Sequence, residues 1–302
     1  MILLSLVGEQ PIPSLLVSRH LRPERTVLVC TTDTDPVARR LQRLIGAADL
    51  VRVQPYNLRA TYNAMQRAIG DAPDVVFNLT GGTKPMSLAA FALAEGRRGP
   101  FVYLQSQGPT SLLFRYGFDG DLPELAGQET LPPLITAADY LHAHLPGYRE
   151  AGFSRAADGE LTDGGRFERA VYEALVHRGF EALTGVRPEG VANQIEIDVV
   201  IRAGNQVGIA EVKLGDRTGE GPKAGLDQLA MAAGREYLGT YVAKFLVTAR
   251  RLPPAVETLA TARGIRTIAL PGYRDGRPLN RADADLLESG LRQRLGAEGK
   301  IA

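Results

Sequence analysis

The 302-residue chain reads as an α/β protein built from two domains. Three observations predict this. Short apolar runs alternate with amphipathic helical patterns through residues 1–105. Beyond residue 160 a helical stretch leads to two apolar runs around a Gly-containing turn, then to another helix and strand. The polar, Pro- and Gly-containing stretch between the halves reads as a joint. We place an N-terminal domain at 1–138, a linker at 139–162 and a second α/β domain at 163–302.

Met1–Val7 is a short apolar strand, too short and without the basic leader of a signal peptide. Thr26–Cys30 is the second strand and a helix follows from Pro36 to Ile45. Leu50–Val53 is the third strand, with the helix Leu58–Ile69 behind it. Asp74–Leu79 and Phe101–Gln105 are the fourth and fifth strands, separated by a helix from Met86 to Glu95. Strands alternating with helices predict a parallel sheet covered on both faces, whose ligands bind beyond the carboxyl ends of the strands. Leu112–Tyr116 and Leu131–Leu134 suggest an extra hairpin at the sheet edge. Thr136–Leu145 reads as a short helix in which His142 and His144 are surface histidines, because no Cys or acidic cluster accompanies them.

In the second half, Asp163–Gly179 has helical spacing of Phe167, Ala170, Val171, Ala174 and Leu175, with Asp163 and Gly179 as caps. Ile195–Ile201 and Val207–Lys213 are strands around the turn Ala203-Gly-Asn205. Lys223–Ala233 is a helix, Thr240–Thr248 a strand, and Asn280–Leu295 an amphipathic helix with Leu286, Leu287, Leu291 and Leu295 on one side, suited to a core or a dimer contact.

Composition narrows the function. Basic and acidic residues balance, 13 and 13 in 1–140 and 22 and 21 beyond. Neither half is broadly basic, so a polyanion needs a local patch; Arg166, Arg169, Arg187, Arg217 and Lys223 are candidates. The single Cys30 excludes an intrachain disulfide and suits a cytoplasmic protein. No apolar run is long enough to span a membrane.

Two motifs carry chemistry. Asn78-Leu-Thr-Gly-Gly-Thr-Lys-Pro-Met-Ser87 leads from the fourth strand into a helix. It has neither dinucleotide-binding nor Walker spacing, yet it holds the parts of an anion cradle. Gly81 and Gly82 let backbone N–H groups come close, Thr80 and Thr83 offer hydroxyls, Lys84 a charge, and the helix its free N–H groups. Pro85 is tolerated in the first turn. The plain alternative is a strand-to-helix turn capped by Thr83.

The second motif is Asp198 on one strand with Glu211-Val-Lys213 on its hairpin partner. Hard divalent cations, Mg²⁺ or Mn²⁺, take carboxylate and carbonyl oxygens. Asp198, Glu211 and the Val212 carbonyl supply such a set. Glu211 and Lys213 alternate onto one face, where Lys213 can meet the attacking water or the scissile phosphate. This is a layout for metal-dependent phosphodiester hydrolysis. The plain alternative is a solvated cross-strand ion pair, but Asp198 lies within an apolar run, where an unpartnered carboxylate is costly. The chain has five lysines against thirty arginines, and two of the five, Lys84 and Lys213, fall in the motifs.

The Asn78–Ser87 string resembles the ligand motif of the CRISPR-associated Rossmann-fold (CARF) sensors. That resemblance implies a Rossmann-like domain that binds a cyclic oligoadenylate at the two-fold of a homodimer, cyclic tetra-adenylate being favoured. It implies ligand contacts from Thr80, Gly81, Gly82, Thr83 and Lys84, from Gly8, Gln10 and Pro11 after strand one, and from Thr32 and Asp33 after strand two. Residues 160–270 resemble the PD-(D/E)xK, restriction-endonuclease-like superfamily, although Ile197 replaces the motif's proline. That resemblance implies Asp198, Glu211 and Lys213 as the catalytic core, with Glu168 and Gln228 as accessory residues that position waters. The pair of domains resembles the ancillary nucleases of type III CRISPR antiviral defence, which implies activator-gated cleavage of DNA, with RNA as a second substrate class. Two other readings stay open: a ring nuclease that degrades the cyclic activator through Thr83 and Lys84, and a non-catalytic nucleotide-responsive binding protein.

Overall fold

A computed structural model of the chain describes residues 1–107, 109–190, 195–215, 220–234 and 237–296. Two compact units emerge, Met1–Ile135 with His142–His144, and Thr136–Leu141 with the chain from Leu145 onward.

The first unit runs β1 (Ile2–Leu6), α1 (Ile12–Leu21), β2 (Arg25–Cys30), α2 (Asp35–Ile45), β3 (Ala48–Arg52), α3 (Leu58–Ile69), β4 (Val75–Asn78), α4 (Lys84–Arg97), β5 (Phe101–Gln107), β6 (Thr110–Phe118) and β7 (Pro123–Thr130). Its sheet has the order β3-β2-β1-β4-β5-β6-β7. The first five strands are parallel, and β6 and β7 are antiparallel additions. Leu4, Leu6 and Phe77 pack with Met65, Ile69, Met86, Ala90 and Leu93 of α3 and α4. On the opposite face Ser5 donates to Ser14 of α1 at 3.2 Å. Helices thus cover both faces, as alternation of strands and helices predicts. The order reverses beside β1, so the loops after β1 and β4 meet at the switch point where such sheets bind ligands.

Two differences from the sequence reading have physical causes. Helix α1 was not expected, since Pro11 and Pro13 suggest a loop and its inner face carries Ser14 and Ser18. Those hydroxyls are satisfied inside, by Ser5 and Thr26, so serines share the buried part of the helix with Leu15, Leu16 and Val17 and blur its apolar pattern. The edge hairpin exists, but its second strand is Pro123–Thr130 and not Leu131–Leu134; as an edge strand it is largely exposed and lacks an apolar pattern. Cys30 is buried, as expected, and burial pushes its thiol up to about 11.

After β7 the chain forms α5 (Ala137–His144), whose capping box is Thr136 with Asp139. His144, expected at the surface, is buried. The second unit continues with β8 (Gly147–Glu150), α6 (Asp163–His177), β9 (Glu181–Glu189), β10 (Ile197–Ala203), β11 (Gln206–Lys213), α7 (Glu220–Ala232), β12 (Ala243–Thr248), α8 (Pro254–Ala262), β13 (Ile265–Ala269) and α9 (Arg281–Leu295). Its sheet is ordered β13-β12-β11-β10-β9-β8. Residues 139–162, expected as a linker, therefore hold most of α5 and an edge strand that pairs Gly147 with Glu189.

One face of this sheet buries Val199, Ile201, Ala210, Val212, Phe245 and Val247 under Phe167 and Val171 of α6 and Leu287, Leu291 and Leu295 of α9. The α9 leucines are core, while Leu286 is exposed. The other face carries the alternate residues of β10 and β11 and is covered by α7. No helix among the described residues is long and apolar enough to cross a membrane.

Candidate functional site

The acidic motif assembles on the α7 face of the second sheet. Val199 pairs with Ala210 across β10 and β11, which sets Asp198 opposite Glu211 on the same face. Lys213, two residues on, shares that face. Its Nζ lies 2.5 Å from Glu211 Oε1 and 3.7 Å from Asp198 Oδ2. The Val212 N–H donates to Asp198 Oδ2 at 2.8 Å. The Val212 carbonyl lies on the same edge of the strand as its N–H, toward β10.

Burial dominates the electrostatics. Glu211 is 2 % exposed, and its Oε1 makes no hydrogen bond of regular geometry; the Lys213 ammonium is its ion-pair partner. Burial pushes both carboxyls above the usual range, the Asp198 charge adds to the push on Glu211, and Lys213 pulls both back only in part. Burial acts downward on Lys213, but the two carboxylates outweigh it and hold the ammonium more strongly protonated than usual. Two carboxylates share one ammonium, and Glu168 adds its negative charge from α6. The site is short of positive charge, as the donor set for a hard divalent cation would be. Among the described residues no group of three or more His, Cys, Asp or Glu side chains is arranged to hold a metal. A cation here would therefore rest on two carboxylates and a backbone oxygen.

Helix α7 closes over the pair. A Cβ at Gly225 would lie 3.1 Å from Glu211 Cγ and 3.7 Å from Lys213 Cγ. This position could not be read from the sequence, because it depends on where α7 lands.

The second candidate site lies in the first unit. After β4 the chain passes Gly81 and Gly82 and enters α4, capped by Thr83, whose Oγ1 accepts from Met86 N–H at 3.4 Å. The loop rests on the backbone after β1. A Cβ at Gly81 would stand 2.2 Å from the Leu6 carbonyl oxygen, and one at Gly8 would stand 3.2 Å from the Gly82 nitrogen. Gly82 has φ of +74°, the left-handed region. Gly81→Ala is expected to cost more than about 2 kcal/mol of first-unit stability, because backbone must move on one side of the contact. Thermal or urea unfolding of the full chain checks this.

Residues 2–113 match the Card1 CARF domain family. The CARF match runs from β1 into the start of β6 and includes both loops just described. By fold the whole chain is similar to Can2 from Sulfobacillus thermosulfidooxidans, solved in complex with cyclic tetra-adenylate. They are 16 % identical, with a TM-score of 0.72 over 98 % of this chain and 99 % of that one. It is similar to protein VC1899 from Vibrio cholerae, at 13 % identity and a TM-score of 0.70 over 99 % of each chain. It is also similar to a type III CRISPR defence DNA nuclease activated by cyclic oligoadenylate, at 18 % identity and a TM-score of 0.65 over 96 % of this chain and 51 % of that one. No curated protein matches the chain. These likenesses establish the fold.

In the CARF-matching unit the expected ligand residues fall in three loops at the carboxyl ends of β1, β2 and β4. Gly8 and Gln10 are partly exposed and Pro11 is buried at the start of α1. Thr32 and Asp33 form the exposed tip of a turn held by Thr31 and Thr34, whose side chains each accept the other's backbone N–H. Lys84 is exposed at the start of α4. Thr80 is different: its hydroxyl donates to Asn78 Oδ1 at 2.7 Å and accepts from Leu104 N–H at 2.8 Å. That hydroxyl holds the loop to β5, and Asn78 in turn donates to Ser5 at 3.0 Å.

Of the expected accessory residues in the second unit, Glu168 is buried with both oxygens engaged, by Ser154 N–H at 2.9 Å and Ser154 Oγ at 2.7 Å. Ser154 carries no local signal in the sequence. Gln228 lies on α7, one turn past Gly225, and is exposed. Of the suggested basic patch, Arg166, Arg169 and Arg187 are ion-paired with Asp275, Glu173 and Glu196. Lys223 is exposed. Arg217 lies outside the described residues.

Proposed function

We propose that the chain is a cyclic oligoadenylate-activated, metal-dependent endonuclease of type III CRISPR antiviral defence, with a PD-(D/E)xK nuclease domain behind a CARF sensor. The carrying observation is the convergence of Asp198, Glu211 and Lys213 on one sheet face, where two carboxylates share one ammonium. A pure nucleotide receptor has no use for that arrangement.

Asp198, Glu211 and the Val212 carbonyl would hold Mg²⁺ or Mn²⁺. A bound divalent cation supplies charge against the phosphoryl oxygens and makes a water more acidic. Lys213 keeps its proton at Nζ and so presents a fixed positive charge to the oxyanion that develops during attack. Glu168, pinned by Ser154, holds negative charge beside the site and keeps Lys213 protonated. Gln228 offers an amide from α7 to orient water. The first unit would bind the cyclic activator, cyclic tetra-adenylate being favoured, through Lys84, Thr83 and the N–H groups around Gly81 and Gly82. An even-membered ring has a two-fold axis, so two copies of the chain would offer identical half-sites. DNA is the first substrate class and RNA the second.

Plasmid nicking in Mn²⁺, with and without cyclic tetra-adenylate and with Glu211→Ala as control, tests the reading. Nicking that needs both Mn²⁺ and activator, and that Glu211→Ala removes, supports it; the same nicking by Glu211→Ala sinks it.

A pH dependence follows from the raised carboxyls. Asp198 and Glu211 ionise later in the folded chain than in the unfolded one. The folded state then binds more protons in that window, so stability falls as pH rises. Their contribution is full below the ordinary carboxylate range and is lost as pH climbs toward about 8. Cation binding needs both groups ionised, so Mn²⁺ is expected to raise the melting temperature more at about pH 8 than at about pH 6. Melting curves over that range with and without Mn²⁺ measure both slopes.

A further inference from the structure

We propose that Arg250 and Arg251 grip the phosphate backbone of the nucleic acid presented to Asp198, Glu211 and Lys213. This rests on the nuclease reading and adds its substrate contact.

The placement comes from the parallel pairing of β11 and β12, which sets Thr248 beside Lys213. The chain stays close beyond that pair: Ala249 N–H donates to the Lys213 carbonyl at 3.3 Å. Buried Thr248 donates its hydroxyl to the Arg250 carbonyl at 2.8 Å, which fixes the turn. A Cβ at Gly215 would meet Arg250 Cβ at 3.5 Å, so Arg250 adjoins the chain two residues past Lys213. The arginine pair thus borders the sheet end at which the acidic pair lies.

Its charge is uncommitted. Arg166, Arg169, Arg187, Arg202 and Arg263 are neutralised by Asp275, Glu173, Glu196, Glu181 and Asp227. Arg250 and Arg251 are both exposed, and neither has a carboxylate partner among the described residues. A polyanion approaching clustered carboxylates is repelled, and a net charge of +1 over the chain offers no general attraction. Two free guanidiniums on the turn at that sheet end meet that need, and their planar donors suit phosphate oxygens.

The test is the salt dependence of binding of a fluorescein-labelled single-stranded DNA and its duplex. The full chain is used with cyclic tetra-adenylate and Ca²⁺, a cation chosen to permit binding with little cutting. The Arg250→Ala/Arg251→Ala double variant is expected to bind at least about tenfold more weakly at low salt. Its log–log salt slope is expected to be shallower by about 1.4 for the single strand and about 1.8 for the duplex, two phosphates' worth. Arg294→Ala, on the helix that covers the opposite sheet face, is expected to leave the slope unchanged. Melting temperature and activator affinity of the double variant should match the parent. A parent that binds DNA with a slope unchanged in the double variant overturns the proposal alone. A parent that binds neither DNA at any salt overturns the nuclease reading and the proposal with it.

Discussion

Glu211→Gln is expected to lower activator-dependent nucleic-acid cleavage by at least about 10³-fold while leaving the chain folded. The side chain is 2 % exposed and packed under Gly225, so the isosteric amide fills the same space. What changes is charge. Gln removes one of the two carboxylates that would hold the cation, and it leaves Lys213 with Asp198 as its nearer remaining anion. The substitution also removes a group that ionises only reluctantly in the fold. The metal-free variant should therefore be more stable than the parent at about pH 8 and gain less on adding Mn²⁺. Cleavage rates and melting curves on the same preparation separate lost chemistry from lost folding. A variant that is folded and still cuts at the parent's rate removes Glu211 from the mechanism.

The second large effect lies in the other unit. Lys84→Glu should weaken cyclic tetra-adenylate binding by about 100-fold, roughly 2.7 kcal/mol. Lys84 is exposed at the first turn of α4, so its replacement should change stability by less than about 0.5 kcal/mol. A glutamate there would place negative charge where ring phosphates are expected to meet the helix N-terminus. The two substitutions differ in a useful way. Excess activator should restore cleavage to Lys84→Glu and should not restore it to Glu211→Gln. Titrating activator against cleavage for both variants reads that difference; equal activator affinity for Lys84→Glu and the parent would remove Lys84 from the ligand site.

How far these sites can be read from residues alone depends on how local their causes are. The parallel strands β1 to β5 are legible because each is a short apolar run between helical patterns. Asp198, Glu211 and Lys213 are legible because strand alternation fixes their common face once the hairpin is recognised. Helix α1 is not, because Pro11 and Pro13 read as a loop and Ser14 and Ser18 are buried beside its leucines, with their hydroxyls satisfied across the interface. Strand β7 is hidden by its exposure, and β8 by the turn-rich sequence around it. Thr80 looks like a ligand hydroxyl in sequence, yet Leu104 and Asn78 engage it. Gly225 packs on Glu211, and Ser154 holds Glu168, through contacts between elements distant in the chain, and no local pattern announces them.

Anomalous diffraction from crystals of the full chain soaked in Mn²⁺ is the most direct test. The expected result is a manganese peak at coordinating distance, about 2.1 Å, from oxygens of Asp198 and Glu211 in the parent and none there in Glu211→Gln. Manganese bound elsewhere, with those two carboxylates still closed on Lys213 in an enzyme that cuts, would contradict it.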